Sequence, residues 1–365
     1  MKTDIVQLCH GRIIPAYSSA YGLRVRRYLS SFNSRILLSV GGLVLHDEKE
    51  NEAVQYRSLL MTGIAYLKGN RAFEILLSKG SFLRGKYLNT AMKRISCAKI
   101  VIFEGPWQFY LFREKLEEKI VIYDSHNIES KLRKGNPWEG YTFKLEQELI
   151  NRSDMIITVT ESDKEEMINL YNACADKIIC IPEGFMTTNQ KWCGIDSKEF
   201  VFIGSAYLPN IEAVKNLILI AKEFPDFKFK IIGSVCDSIK KRGTPKNVEF
   251  LGIVDEFRKE KEICSSLAAL NPVTSGSGRN LKMNDYISYG VPIITTEIGA
   301  RGFDQTLKDH FIISDIAGFP ERIRDLKGTA DNLLSNSAFF IKYAESNNYK
   351  ATIDKAFEEI SSLLN

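Results

Sequence analysis

Residues 275–296 have the sequence SGSGRNLKMNDYISYGVPIITT, which predicts a strand end, a glycine loop, a short helix and a second strand in one continuous run. It begins with small residues, where a backbone can turn sharply and point its N–H groups outward. A helix is predicted to begin near Asn280 and to end at Gly290, and a strand follows it. Lys282 and Asp285 are three residues apart, on neighbouring positions of one helix face. The stretch therefore predicts a glycine loop and a helix start that together bind an anion.

A nucleoside diphosphate fits such a site. The helix dipole stabilises an anion at its N-terminus by roughly 0.3–1 kcal/mol, and a hydrogen bond to a charged group contributes about 1.5–3 kcal/mol. Asp285 is then left to hold a polyol such as a ribose. The residues predicted to bind the diphosphate are Gly276, Ser277, Gly278, Arg279, Asn280 and, above all, Lys282. An ordinary surface lysine on an exposed helix is the alternative interpretation of Lys282.

The same stretch resembles the donor-nucleotide signature of family-4 retaining glycosyltransferases with the GT-B fold, in its GSGxNLKxxDY variant. The resemblance extends, in the family's order, to VIYDSHNIES (121–130), SDMIITVTESDKEEM (153–167), IICIPEGF (178–185), FVFIGSAYLPNIEAVKNLI (200–218) and FKIIGSVCD (229–237). It implies an α/β fold of two Rossmann-like doubly wound domains that face each other across a cleft. It also implies a glycosyl transferase, EC 2.4 class, that moves a sugar from a nucleotide-diphosphate sugar to a hydroxyl acceptor with retention.

Length and pattern agree with two domains. A chain of 365 residues with 44% hydrophobic residues exceeds what a single core usually holds. We expect an acceptor domain at 1–190, a donor domain at 191–345, and a C-terminal helix at 346–365 that returns to the first domain. A linker is predicted at 185–198. Short apolar runs alternate with helical patterns, as in parallel sheets. Strands are predicted at 5–9, 36–40, 99–103, 120–124, 155–160, 200–204, 227–233, 267–273 and 291–296.

His126 is the strongest candidate in the first domain. It follows an apolar strand within the polar sequence DSHN (124–127) and resembles the family's histidine that faces the donor sugar. An imidazole there can hydrogen-bond the sugar or stabilise charge as the glycosidic bond breaks, so His126 and Lys282 are the predicted catalytic residues. A loop histidine that bonds the local backbone is the alternative. Glu104, after another strand, and Gly22 are predicted on the acceptor side, although Glu104 is equally suited to a helix cap or a salt bridge.

Two further strand ends belong to the predicted donor domain. Gly204 and Ser205 follow a strand where the family places backbone amides against the diphosphate. Gly233 ends another strand and fits either a nucleobase contact or a tight turn. Asn210 is predicted to cap a helix that starts at Ile211.

The chain departs from the family at one position. Many members carry two glutamates separated by seven residues; Asp285 matches the second, but Ser277 stands in place of the first. This leaves the donor sugar open and keeps a second hypothesis, a catalytically inactive GT-B subunit that binds nucleotide sugars or acts as a scaffold. An epimerase would need clustered acids and histidines, and a nicotinamide-dependent oxidoreductase would need GxGxxG after the first strand; neither pattern is found.

Composition restricts the partners. A net charge of +4 is too diffuse to indicate nucleic acid. The resemblance implies a UDP- or GDP-linked sugar as the donor, and because no aspartate-x-aspartate motif is present, we expect no metal. Seven scattered cysteines indicate a reduced, cytoplasmic protein without structural zinc. No apolar run reaches the ~18 residues that a membrane span requires, and the N-terminus continues directly into a strand rather than a signal sequence.

Residues 71–94 interleave basic and apolar residues, which suits either an anionic membrane surface or a solvated helix face. The first possibility predicts peripheral contact with the inner face of the cell membrane. It also predicts a lipid-linked acceptor in polysaccharide or glycan biosynthesis; a soluble acceptor stays open.

Overall fold

The computed structural model describes residues 5–11, 13, 25, 35–40, 47–50, 53–58, 63, 72–80, 85–240, 242–276, 279–326 and 329–363. The chain forms two compact units. The first comprises Met1–Glu183 and Thr352–Asn365, and the second comprises Gly184–Ala351. Each unit is built around its own sheet.

Strands and helices alternate along the described chain. The strands are β1 Ile5–His10, β2 Arg35–Val40, β3 Glu48–Glu50, β4 Ala53–Tyr56, β5 Ile100–Phe103, β6 Ile120–Ser125, β7 Met155–Thr158, β8 Ile178–Cys180, β9 Glu199–Ile203, β10 Lys228–Ile232, β11 Val248–Gly252, β12 Ala268–Asn271, β13 Ile293–Thr295 and β14 Ile312–Ile313. The α-helices are α1 Ala72–Ser78, α2 Gly85–Cys97, α3 Phe109–Phe112, α4 Glu139–Arg152, α5 Glu161–Tyr171, α6 Leu208–Ala221, α7 Glu256–Cys264, α8 Leu281–Tyr289, α9 Gln305–Lys308, α10 Phe319–Asp325, α11 Ala330–Ser346 and α12 Tyr349–Ser362.

The sheet of the first unit has the strand order β3-β4-β2-β1-β5-β6-β7-β8. Its neighbouring strands run parallel, except that β3 and β4 pair antiparallel. All four residues of β5 are buried because both faces of the sheet are covered. Val101 and Phe103 pack into one apolar cluster and Ile100 and Ile102 into another, as expected from alternating side chains. The strand order reverses between β1 and β5, and ligands of open parallel sheets bind at such a reversal.

The second unit contains an all-parallel sheet with the order β11-β10-β9-β12-β13-β14. Its order reverses between β9 and β12. The loop after β9 contains Gly204 and Ser205, and the loop after β12 contains Gly276 and leads into α8. The predicted diphosphate-binding loops thus leave the carboxyl ends of the two strands at which ligands of such sheets bind.

The structure confirms every strand predicted from the sequence, with ends that differ by at most two residues. It adds β3, β4, β8, β11 and β14. Strand β4 escaped prediction because Gln55, a polar residue, is fully buried in it and accepts a hydrogen bond from the backbone N–H of Ile13 at 2.9 Å. A buried polar residue of this kind interrupts the apolar pattern by which strands are recognised.

The segment expected to be a linker, 185–198, belongs to the second unit. Phe185 and Trp192 are buried in its core, and the indole N–H of Trp192 donates to the carbonyl of Ser266 at 2.7 Å. The two units divide ahead of this segment, between Glu183 and Gly184. A stretch rich in turn-forming residues is therefore held in place by its two aromatic side chains.

Helix α12 carries the chain back into the first unit from Thr352 onward. Its buried residues, Ala356 and Ile360, pack with Ile5, Ile102 and other isoleucines of the first sheet. Every helix among the described residues is too short or too polar to cross a lipid bilayer.

Candidate functional site

The predicted anion site begins at helix α8. Asn280 precedes the helix as its N-cap residue, and Gly290 ends it in the left-handed conformation with φ 75°. Both predicted ends are confirmed. The side chain of Asn280 does not cap the helix; its amide donates to the carbonyl of Gly299 at 3.4 Å. The first turn therefore presents Lys282 beside N–H groups that have no partner within the helix itself.

Lys282 lies in an environment that disfavours its charge. Its ammonium donates to Oδ1 of Asn210 at 2.6 Å and lies 4.2 Å from the centre of the Phe202 ring. Both partners are uncharged. Burial lowers the pKa of Lys282 to about 7, well below its ordinary value of 10.5. An anion bound next to this ammonium would supply the missing opposite charge and favour the protonated form.

Asn210 does not have the role that the sequence suggested. Helix α6 begins at Leu208, after Tyr207, so Asn210 lies inside the first turn instead of capping the helix. The residue is 8% exposed, and its amide nitrogen donates to the carbonyl of Ser205 at 3.1 Å and to the hydroxyl of Ser205 at 3.3 Å. The prediction failed because Pro209 starts a helix well and moves its first turn toward the N-terminus.

Two glycines join the loops after β9 and β10. Gly233 has φ +104°, and a Cβ added to it would lie 2.2 Å from the carbonyl oxygen of Gly204. The N–H of Gly204 donates to the carbonyl of Ile232 at 2.9 Å, and the carbonyl of Gly204 accepts from Val235 at 3.2 Å. The loops pack so closely that side chains at these positions would separate them. The sequence predicted that the backbone amide of Gly204 would face the diphosphate. In the structure its N–H is already hydrogen-bonded within the protein.

Asp285 and Arg279 complete the second-unit site. Asp285 of α8 forms an ion pair of 3.4 Å with Lys259 of α7. The sequence had predicted Lys282, on the same face of α8, as its neighbour. The guanidinium of Arg279 lies 4.1 Å from the centre of the Phe303 ring. The carbonyl of Gly276, which has φ +112°, accepts from Arg301 at 2.8 Å. Gly22, Ser277 and Gly278, three residues of the predicted site, lie outside the described residues.

In the first unit, the structure brings Glu104 and His126 together. Glu104 follows β5 and His126 follows β6, its neighbour in the sheet. Nε2 of His126 lies 2.7 Å from Oε2 of Glu104, whose side chain is completely buried. Gln7 of β1 donates to the other carboxylate oxygen of Glu104. The sequence predicted Glu104 on the acceptor side and His126 in catalysis. In the structure these two residues form one hydrogen-bonded pair.

Asp124 belongs to the same group. One possible ligand atom from each of Glu104, Asp124 and His126 lies within 4.8 Å of the others. Among the described residues, this is the group of histidine, cysteine and acidic side chains that could hold a metal ion. Carboxylate and imidazole ligands suit several divalent metals. This cluster of acidic and histidine side chains was not predicted from the sequence.

A buried ion network beside this pair was not predicted. Arg133 is 2% exposed, contacts the carboxylate of Glu74, and donates to Glu129 at 2.6 Å. Its guanidinium lies 4.2 Å from the centre of the Trp107 ring. Burial, together with the charge of Glu74, raises the pKa of Glu129 to about 8. Arg133 sits in the sequence KLRKG, which looks like an exposed basic stretch, so no sequence signal distinguished it.

The basic segment 71–94 is only partly described, since residues 71 and 81–84 lie outside the described chain. Ile75, Leu77 and Tyr87 pack inward, in the core of the first unit. Lys86 is exposed and forms a 2.6 Å ion pair with Asp47. Apolar residues that pack inward beside an exposed lysine are compatible with both interpretations of this segment, the solvated helix face and the membrane surface.

Comparison with known proteins gives a class for the second unit and a fold for the chain. Residues 197–328 match the family model described as Glycosyl transferases group 1. No match is found among curated protein sequences. HepE from Anabaena, in complex with UDP and glucose, has a TM-score of 0.72 at 10% identity over 99% of this chain and 100% of its own. Sucrose-phosphate synthase from Thermosynechococcus elongatus has a TM-score of 0.68 at 10% identity over 99% of both chains.

These likenesses confirm the predicted fold class, an α/β GT-B fold with two units. Residues 197–328 of the second unit are similar to glycosyl transferases group 1, and the chain is an enzyme of the glycosyltransferase class. Its assignment to family 4 and the stereochemistry of transfer remain predictions.

Proposed function

We propose that this enzyme transfers a sugar from a nucleotide-diphosphate sugar to a hydroxyl acceptor, with retention of configuration at the anomeric carbon. The observation that carries the proposal is the environment of Lys282, a lysine whose hydrogen-bond partner is an amide oxygen and whose pKa burial lowers to about 7. A lysine in these surroundings gains most from an anionic ligand. The match of residues 197–328 to a glycosyltransferase family supports a nucleotide diphosphate as that anion.

The departing diphosphate gains negative charge as the glycosidic bond breaks. Lys282, Arg279 and the first turn of α8 would stabilise this charge more in the transition state than in the bound donor, and such differential binding accelerates the reaction. Asp285 would hold the ribose. No protein nucleophile is required if the acceptor attacks from the face that the diphosphate leaves. The cations of the protein would then take the place of a metal.

His126 would act on the sugar. Its hydrogen bond to the buried Glu104 holds the imidazole in one orientation. An imidazole held in this way can hydrogen-bond a sugar hydroxyl or stabilise charge during bond cleavage. Glu104 then supports His126 and does not need to contact the acceptor.

UDP is the nucleotide that we propose to test first. HepE, which shares the fold, has been solved with UDP and with UDP-glucose. A GDP-linked sugar is the second choice. For the acceptor, we propose a lipid-linked or cell-surface glycan precursor, with peripheral contact of the basic segment and an anionic membrane. Flotation with vesicles of increasing anionic lipid content tests that contact; no binding at any content would exclude it.

Incubation of the purified enzyme with UDP- and GDP-linked sugars, with and without EDTA, tests the proposed reaction. Release of the nucleoside diphosphate, with transfer to an added acceptor, is the expected result. Proton NMR of the product then shows whether the anomeric configuration is retained. A protein that binds the nucleotide but never turns over any donor would be the inactive subunit that the replacement of a family glutamate by Ser277 suggested.

A further inference from the structure

Asn210 links the two parts of the proposed donor site. One end of its side-chain amide donates to both oxygens of Ser205, in the loop after β9, and the other end accepts from the ammonium of Lys282 in α8. The orientation of this amide is fixed chemically. If it were flipped, its NH₂ group would face the NH₃⁺ of Lys282 and its oxygen would face the carbonyl of Ser205.

We infer that Asn210 is a positioning residue that holds the ammonium of Lys282 toward the diphosphate and ties it to the Ser205 loop. The inference rests on the proposed function, because it concerns the same diphosphate. Lysine side chains lose much conformational freedom when they are fixed, so a partner that fixes the ammonium before the donor binds removes part of that cost.

The uncharged nature of Asn210 is part of the inference. A carboxylate at this position would pair with Lys282 and compete with the diphosphate for its charge. The neighbouring carboxylates are engaged elsewhere: Glu212 of α6 accepts from the hydroxyl of Ser275 at 3.1 Å, and Asp285 of α8 pairs with Lys259 of α7. An amide oxygen orients the ammonium without neutralising it, which leaves its charge for the ligand.

The close approach of Gly204 belongs to the same arrangement. A Cβ added to Gly204 would lie 3.1 Å from Cβ and 3.2 Å from Cγ of Asn210, and 2.9 Å from an atom of the Phe202 ring. Phe202 is the ring beneath the ammonium of Lys282. Glycine at this position lets the loop, the amide and the ring pack together around one lysine.

Calorimetric binding of UDP to the full chain tests the inference, with the variants Asn210→Asp, Asn210→Ala and Lys282→Ala. Two quantities are measured for each: the Kd at pH 7.5, and the number of protons taken up per UDP at pH 8, from buffers of different ionisation enthalpy. Asn216→Asp is the matched control, the same change in the same helix. Melting temperatures check that each variant is folded, and Asn210→Ala carries the test if Asn210→Asp does not fold.

We expect Asn210→Asp to bind UDP at least tenfold more weakly and to take up almost no proton, because its carboxylate keeps Lys282 charged before UDP arrives. Asn210→Ala should bind about threefold to tenfold more weakly, and Asn216→Asp should match the wild type. A merely structural role would not change the proton uptake.

The inference would be overturned if both Asn210 variants kept the wild-type affinity and proton uptake while Lys282→Ala lost binding. The assignment of the donor site would still hold in that case. Wild-type binding by Lys282→Ala would instead overturn the donor site itself. The two failures are therefore distinguishable.

Discussion

His126 and Glu104 follow neighbouring strands of the first sheet and meet through a hydrogen bond of 2.7 Å. Because Glu104 is buried and also accepts from Gln7, its position is fixed, and His126 has to adapt to it. This relationship predicts that the two residues contribute to the same step. Variants of either residue should lower turnover and leave nucleotide binding intact.

For His126→Ala, we expect kcat to fall by about 10²-fold or more, the usual contribution of a positioned imidazole. Glu104→Gln preserves the shape of the pair but removes its charge, so a fall of about tenfold is expected. The Kd for UDP should change less than twofold in both variants, as measured by calorimetry. Additive losses in the double variant would contradict the account, since residues that act as a unit are not additive.

Nucleotide affinity should depend on pH through Lys282. Its pKa of about 7 in the free protein should rise when a diphosphate binds, so binding is accompanied by proton uptake above pH 7. The affinity for UDP should then fall by up to about tenfold per pH unit above pH 7, where the diphosphate keeps its charge. Calorimetry at pH 7, 8 and 9 measures this. A constant affinity across that range would show that Lys282 does not titrate on binding.

The stability of the ligand-free protein should respond in the opposite direction to pH. The pKa of Lys282 is lower in the folded state than in the unfolded chain, so the unfolded state binds more protons between about pH 7 and pH 10. The contribution of Lys282 to the free energy of unfolding therefore increases as pH rises through that window. Urea unfolding of the wild type and of Lys282→Met at pH 7 and pH 9 measures this contribution. Between pH 7 and pH 9, the free energy of unfolding of the wild type should increase more than that of the variant.

Gly233→Ala should destabilise the second unit strongly. The added Cβ would meet the carbonyl oxygen of Gly204 at 2.2 Å, and the residue has φ +104°. We expect a loss above about 3 kcal/mol in the free energy of unfolding. Gly243→Ala is the matched control, because Gly243 also has positive φ, +84°, but no atom lies within 4 Å of the added Cβ. That control should cost only about 1 kcal/mol. Equal losses would mean that the contact between the two loops is unimportant.

The packing of α12 on the first unit gives a further prediction. Ile360 is 1% exposed among the isoleucines of the first sheet. Ile360→Ala should lower the free energy of unfolding by about 2–4 kcal/mol, measured by urea denaturation. Glu358→Ala, an exposed change in the same helix, should stay within about 0.5 kcal/mol. Similar values for the two variants would place Ile360 outside the core.

The parts of the fold that were predictable from the sequence are those with a local signal. The apolar strands and the helix Leu281–Tyr289, which ends before Gly290, are encoded by neighbouring residues. Long-range partners carried no such signal. The pairing of Glu104 with His126 depends on the order of strands in the sheet, and the buried position of Arg133 depends on Glu74, Glu129 and Trp107.

Asn210 is the clearest example of a contact that could not be predicted from the sequence. Its residue type favours a helix cap, and only the tertiary structure reveals that its amide reaches Lys282, 72 positions along the chain. Propensity describes what a residue does near its own backbone, whereas packing decides which distant group it contacts.

The most direct test of the proposed donor site is the affinity of UDP for the wild type, Lys282→Ala and Lys215→Ala, measured by calorimetry at pH 7. Lys215 is an exposed lysine on α6 and serves as the control. We predict that Lys282→Ala binds UDP at least tenfold more weakly, while Lys215→Ala binds like the wild type. Equal binding by all three proteins would contradict the assignment of Lys282 to the diphosphate.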